Sequence, residues 1–226
     1  DELAAVLDAQ GFEVFVTTPD KFTCRAKVPR DHPIAKWGSN TADFVLARKD
    51  GPYSDGRRPD FVEIGTFEDD IARRDFTVNA LAVAAGVIEE DGSFTDPIFI
   101  PGTGESMDEH VIDLHGGLDD LARRELVFVG VPADRIREDA LRAMRASRFT
   151  ITKGFTMADS TLQAILAEET VDLLAAISED RKRDELNPMF KRDSLATMDL
   201  LCHTISPELR DAVFTGALRL AATSEK

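Results

Sequence analysis

In Arg135-Ile136-Arg137-Glu138-Asp139-Ala140-Leu141-Arg142-Ala143-Met144-Arg145-Ala146-Ser147-Arg148-Phe149, apolar and charged residues recur with the period of a helix. At about 100° per residue, Ile136, Ala140, Leu141, Ala143, Met144 and Ser147 share one side, and Glu138, Asp139, Arg142 and Arg145 share the other. The pattern predicts one helix that packs on one face and presents charge on the other. Asp139 and Glu138 lie three and four residues before Arg142, so both carboxylates can flank one guanidinium.

Such a fork is either an exposed ion-pair decoration, worth roughly 0.2–0.5 kcal/mol per pair, or a reading head. A carboxylate only accepts hydrogen bonds and a guanidinium only donates them. Cytosine and adenine each place an amino donor beside a ring-nitrogen acceptor and so match the pair, whereas uracil and guanine show the reverse pattern. A wrong base would leave buried polar groups unpaired at about 1–3 kcal/mol each.

The 226 residues suit one large domain or two small ones. No apolar run approaches a membrane span and the start, Asp1-Glu2-Leu3, has no signal pattern, so a soluble, cytoplasmic protein is expected. Cys24 and Cys202 form no ligand motif, and His32, His110, His115 and His203 show no zinc spacing. A net charge of -15 argues against sequence-blind binding of nucleic acid over a basic surface. Local basic sites remain: Arg135 to Arg148 holds five arginines, and Arg181 to Arg192 adds Lys182, Arg183 and Lys191. A phosphate-bearing partner should meet this second half of the chain.

Ahead of it, Glu2 to Gln10 predicts a short helix stopped by Gly11 in the left-handed region. Phe12–Thr17, Phe22–Val28 and Ala42–Ala47 predict strands, the first two joined by the turn residues Thr17 to Asp20 and the last two by a loop, Pro29 to Asn40. Asp43 opens the third strand, either as an edge residue met by solvent or as a metal ligand. Lys49 to Asp60 is dense in turn residues and predicts an exposed loop, a kind that can order over a substrate.

Thr66 with Asp69 has capping-box spacing, and the helix it starts is expected to run through Arg73-Arg74-Asp75-Phe76-Thr77-Val78-Asn79-Ala80 to Ala82. The polar cluster Arg74, Asp75, Thr77 and Asn79 is either a site or a structural capping network. Val83 to Thr95 predicts a hairpin turning at Asp91-Gly92, and Pro97 to Glu109 an irregular loop. In Asp113-Leu114-His115-Gly116-Gly117-Leu118-Asp119-Asp120-Leu121 the paired glycines predict a tight, mobile turn. Beyond Gly130 the composition is helical, with helices expected over Asp159–Glu168, Val171–Ile177 and Ser178–Phe190.

Four of these stretches in this order, residues 73–80, 113–121, 138–145 and Asp180-Arg181-Lys182-Arg183-Asp184-Glu185-Leu186, resemble the bacterial-type (class II) CCA-adding tRNA nucleotidyltransferase and poly(A) polymerase family. The resemblance covers about Ala42 to Leu201. It implies an α+β fold: a nucleotidyltransferase-type mixed-sheet head over residues 1–129, N-terminally incomplete, then an all-helical neck and start of body over 130–226. It implies that Arg74 contacts the triphosphate, Asp75 and Asn79 hold the ribose region, and Asp139 and Arg142 bond the Watson–Crick edge of CTP or ATP. Arg145 and Arg148 would support phosphate and template, Gly116 and Gly117 would form a hinge, and Glu138, Asp180, Arg181 and Glu185 would support the neck.

The implied reaction adds C and A to the 3′ end of tRNA, assisted by two Mg2+ ions that need clustered carboxylates. Asp43 matches the family's third catalytic carboxylate and is the metal ligand present, a partial site only. The family's glycine pair, arginine and Asp-x-Asp pair are expected ahead of Glu2, and its tRNA-gripping body after Lys226. The chain is therefore expected to be a head and neck that is inactive alone. A poly(A) polymerase, or an inactive nucleotide- or RNA-binding module, are the competing expectations.

Overall fold

The computed structural model describes residues 2–30, 40–53, 59–83, 111–205 and 207–214. The expected hairpin beyond Val83, the 97–109 loop, most of the 29–40 loop and the tip of the 49–60 loop lie outside the described residues. The chain forms two compact units: residues 1–51 with 60–70, and residues 52–59 with 71–226.

In the first unit, α1 (Glu2–Ala9) ends at Gly11, whose φ of 83° is the predicted left-handed stop. β1 (Glu13–Thr18), β2 (Thr23–Lys27) and β3 (Thr41–Val45) form an antiparallel meander in the order β1-β2-β3. Alternation along β3 turns Ala42 and Phe44 onto the small core of Leu7, Phe12, Cys24, Ala26 and Val28. Phe12 and Phe44 meet edge to face with centroids 5.3 Å apart. A second antiparallel pair, β4 (Arg48–Asp50) and β5 (Val62–Ile64), precedes α2 (Phe67–Ala72). The predicted capping box forms: the Thr66 amide donates to Asp69 Oδ2 at 2.9 Å, and the Asp69 amide donates to Thr66 Oγ1 at 3.2 Å.

α2 stops at Ala72, and the helix expected to run on to Ala82 does not form. Residues 73–76 are irregular, Thr77–Asn79 is a single 3-10 turn, and β6 (Leu81–Val83) pairs with β7 (Val111–Asp113). Side chains and a distant segment compete successfully for the backbone. Asp75 Oδ1 takes the Phe76 amide at 2.8 Å, the Val129 amide donates to the Asp75 carbonyl at 3.0 Å, and the Thr77 amide donates to the Val127 carbonyl at 2.9 Å.

The second unit continues with α3 (Gly117–Arg123), β8 (Glu125–Leu126), α4 (Pro132–Glu138), α5 (Leu141–Lys153) and β9 (Thr156–Met157), which pairs in parallel with β8. α6 (Asp159–Leu166), α7 (Glu168–Ala175), α8 (Glu179–Arg192), α9 (Ser194–Asp199) and α10 (Pro207–Phe214) follow. No helix among the described residues is long and apolar enough to cross a membrane. Ile136, Ala140, Leu141, Ala143, Met144 and Ser147 are all buried, as the periodicity predicts. Phe76, Leu126 and Phe128 join them in one core with Ile165, Leu174, Leu186 and Met189, so packing in this unit runs unbroken across Gly130.

The single helix expected over Arg135–Phe149 is two helices. Asp139 interrupts it in an extended conformation (φ -152°, ψ 104°), and its carboxylate accepts the Leu141 amide at 3.1 Å at the start of α5. A side chain that takes the first amide of the next helix outcompetes the interior position, while both helices keep their apolar residues toward one core.

The paired glycines have separate tasks. Gly116 takes the left-handed region (φ 76°) with nothing within 4 Å of a built Cβ, whereas a Cβ on Gly117 would stand 2.3 Å from the Thr77 carbonyl oxygen. Asp113 holds this turn, accepting from the amides of His115, Gly117 and Leu118 at 3.2, 2.9 and 3.0 Å. The expected tight turn forms, fastened at its base by Asp113 and packed against the 3-10 turn. Gly116→Ala should cost about 1 kcal/mol from the left-handed backbone alone. Gly117→Ala should cost more, about 2–3 kcal/mol, because backbone must move; urea unfolding of the two variants checks the order.

Candidate functional site

Ile71 to Ala80 is held in place by pairing with 127–129 and by α3. Thr77 Oγ1 donates to the buried Asp120 Oδ2 at 2.6 Å, and Arg123 holds the other Asp120 oxygen at 2.5 Å. The turn so fixed forms one wall of an open cleft of about 560 Å3, contributing Arg73, Arg74, Asp75 and Asn79. The helix junction contributes Asp139, Leu141, Arg142 and Arg145, and α8 contributes Arg181. Five guanidiniums thus converge with two carboxylates in a chain whose net charge is -15. The volume lies in the range of small-molecule sites.

Asp75 anchors the floor. Only 8% exposed, it accepts from Arg145 through Nε and Nη2 at 2.8 and 2.5 Å, from Asn79 Nδ2 at 3.0 Å and from the Phe76 amide. Burial by itself would raise this carboxyl's pKa, but the Arg145 charge and the hydrogen bonds outweigh it and hold the group below the ordinary carboxylate range. Arg74 is exposed, and its Nη1 donates to the Asn79 carbonyl at 3.1 Å, so the guanidinium lies across the 3-10 turn.

Asp139 and Arg142 share the cleft without pairing to each other. Arg181 Nη2 donates to both Asp139 oxygens at 3.1 and 2.9 Å. Arg142 instead donates through Nη1 to Glu138 Oε2 at 2.6 Å and the Arg135 carbonyl at 3.1 Å, and through Nη2 to the Arg73 carbonyl at 3.0 Å. Of the five N–H donors of a guanidinium, Nε–H and one Nη2–H of Arg142 have no acceptor among the described residues. Among the described residues, Asp139 Oδ2 receives only Arg181. The fork therefore exists as two separately braced arms, an acceptor and a donor, each with spare capacity. Its Glu138–Arg142 half forms as the spacing predicts; the Asp139–Arg142 half is replaced by Asp139–Arg181, because the break at Asp139 turns that side chain toward α8.

The remaining expected residues fall elsewhere. Arg148 lies outside the cleft lining, donating to Glu185 Oε2 at 2.6 Å with its guanidinium 5.0 Å from the Phe149 ring centroid, and so ties α5 to α8. Asp180 is exposed and makes a local pair with Arg183 at 2.7 Å. In the first unit, Asp43 faces Arg25 across β2 and β3 and binds it through both oxygens at 2.5 and 2.9 Å. That hydrogen-bonded partner keeps the exposed Asp43 carboxyl below its ordinary pKa. No group of three His, Cys, Asp or Glu among the described residues is placed to hold a metal ion. Sequence reasoning passed over Arg73 and Leu141 as lining residues; the doubled arginine before Asp75 was the available signal for the first.

Because the folded pKa of Asp75 lies below its unfolded value of about 3.9, its contribution to stability is complete above that pH and is lost as pH falls through the folded value. Asp113, lowered by its turn amides against an opposing burial effect, acts in the same direction. Asp75→Asn should reduce stability at pH 7 by about 1–3 kcal/mol and flatten, without abolishing, the loss of stability below about pH 4, measured by denaturant unfolding across pH.

Residues 21–127 match the Poly A polymerase head domain. The chain is 32% identical over 194 residues to the CCA-adding enzyme of Bacillus subtilis, covering 85% of this chain and 43% of that one. It is 39% identical over 150 residues to the CCA-adding enzyme of Levilactobacillus brevis, covering 66% and 31%. Among solved structures, the Bacillus stearothermophilus CCA-adding enzyme in complex with CTP superposes with a TM-score of 0.61 at 26% identity, over 89% of this chain and 44% of that one. An apo CCA-adding enzyme shares the fold with a TM-score of 0.68 at 20% identity, over 95% and 43%. The chain spans less than half the length of each of these relatives. Residues 21–127 thus match the Poly A polymerase head domain, and over most of its length the chain is homologous to CCA-adding enzymes, whose mixed α and β architecture it shares.

Proposed function

We propose that the cleft selects CTP and ATP for addition to the 3′ end of tRNA in the cytoplasm, within a protein whose head is residues 1–129 and whose neck begins at 130. The observation that carries this reading is the convergence of Arg73, Arg74, Arg142, Arg145 and Arg181 around Asp75 and Asp139 in an otherwise acidic chain. Guanidiniums suit a triphosphate, and Arg74 with Arg145 takes that role. Asp75 and Asn79 take the ribose hydroxyls, for which Arg145 must share Asp75. Asp139 accepts the exocyclic amino group of C or A, and Arg142 donates its spare N–H to the adjacent ring nitrogen. Uracil and guanine would set acceptor against acceptor and donor against donor.

Glu138 and Arg181 hold the two reading arms, Arg148 and Glu185 fasten α5 to α8 behind them, Asp180 lies at the outer face of the same helix, and Gly116 and Gly117 shape the turn beneath the cleft. Phosphoryl transfer to an RNA 3′-hydroxyl uses divalent ions held by carboxylates. The described residues do not fit such a site: no cluster of three donors forms, and Asp43 is bound by Arg25. For Asp43 to ligate Mg2+, Arg25 must first release it. Selection of the nucleotide is what these residues accomplish.

Calorimetric titration with the four nucleoside triphosphates should show binding of CTP and ATP and rejection of UTP and GTP, and the full-length gene product should extend tRNA lacking its 3′ CCA. Addition of ATP alone to unrelated RNA would overturn the tRNA reading. Arg142→Ala should weaken CTP and ATP together, by about tenfold or more. It should also lower the melting temperature, because Arg142 is only 11% exposed and its loss leaves Glu138 with one partner fewer.

A further inference from the structure

One network beside the cleft reaches it only through Arg142 and Arg73. Arg135 Nη1 donates to the Ala72 carbonyl at 3.0 Å, while its Nη2 pairs with Glu138 Oε1. The other Glu138 oxygen pairs with Arg142 Nη1 at 2.6 Å, and Arg142 Nη2 donates to the next carbonyl, Arg73, at 3.0 Å. One carboxylate thus spaces two guanidiniums so that they grip consecutive carbonyls at the C-terminal end of α2. The side chains of Arg135, Glu138 and Arg142 are 20, 19 and 11% exposed, so solvent competes weakly for these bonds. Positive charge at a helix C-terminus is also favourable. The gripped carbonyls lie directly before Arg74 and Asp75.

We infer that Arg135 is a positioning residue: it keeps the Arg73–Arg74–Asp75 segment in register with the base-reading helix junction, so that Arg74 and Asp75 stay placed for the phosphates and ribose while Arg142 reads the base. The inference rests on the proposed nucleotide reading. Arg142 divides its donors between this segment and the cleft, whereas Arg135 ties Ala72 to Glu138 without lining the cleft. The role is separable from base recognition, because Arg135 is absent from the cleft lining.

The test uses the purified 226-residue chain and three probes: CTP, ATP and inorganic tripolyphosphate, which has no base. Arg135→Ala should raise the dissociation constants of all three by a common factor of about ten, with the preference for C and A over U and G unchanged. Arg135→Lys, which can keep one of the two contacts, should fall between that variant and wild type. A purely structural role would lower the melting temperature of Arg135→Ala yet leave tripolyphosphate affinity, measured well below the melt, at the wild-type value; that result overturns the inference. If Arg135→Ala does not fold, Arg135→Lys alone decides, and an unchanged tripolyphosphate constant overturns the inference again. Wild-type chain that binds none of the probes refutes the nucleotide reading itself, a different failure from wild-type binding that Arg135 variants share.

Discussion

Asp75 is a carboxylate taken almost wholly out of water, and the second unit is arranged so that it is never without partners. An isolated buried charge costs several kcal/mol, and removing one member of a buried pair costs nearly as much. Arg145 from α5, Asn79 from the 3-10 turn and the Phe76 amide meet that demand together. Meeting it breaks the helix that would otherwise continue from α2 and fixes the turn. It also ties the turn to α5, the helix that carries Arg142. The apolar counterpart is Phe76, fully buried and packed at tilted angles against Phe128 and Phe149 with ring centroids 4.9 and 5.5 Å away.

Charge is distributed with the same economy. Across the chain acidic residues outnumber basic ones, yet within the cleft guanidiniums outnumber carboxylates. With screening over about 8 Å at physiological salt, a small polyanion inside the cleft feels the local arginines while the surface as a whole stays unattractive to long nucleic acid. Pairing each cleft carboxylate with an arginine also keeps both acceptor groups oriented without a ligand.

How much of this was legible depended on the range of the interactions. Gly11, the Thr66–Asp69 capping box and the alternation of β3 are local, and each forms as its spacing predicts. The buried face of residues 136–147 was legible too, yet the break within it was not: both helices face one core, so the apolar period passes through Asp139 undisturbed while a capping side chain decides the backbone. The irregular path of residues 73–80 depends on Val127 and Val129, about fifty residues on, which periodicity does not see. Arg148 illustrates the same limit at the site. The family resemblance implied a ligand role for it, whereas its partner, Glu185, lies on another helix. The motif order identified the family because it records chemistry; individual roles depended on which distant side chain arrived first.

The break at Asp139 also restricts how such a protein can change. One side chain ends α4, takes the first amide of α5 and presents an acceptor to the cleft, so architecture by itself restricts its identity. On the nucleotide reading proposed above, a lineage seeking a different base preference would have to replace it with a residue that still takes that amide, a choice confined to a few short polar side chains. Asn and Ser are among them, and both can donate as well as accept. Altered specificity at this position is thus reachable by single substitutions that the backbone tolerates, whereas a large or apolar replacement would be eliminated as a folding defect before its chemistry was ever tried.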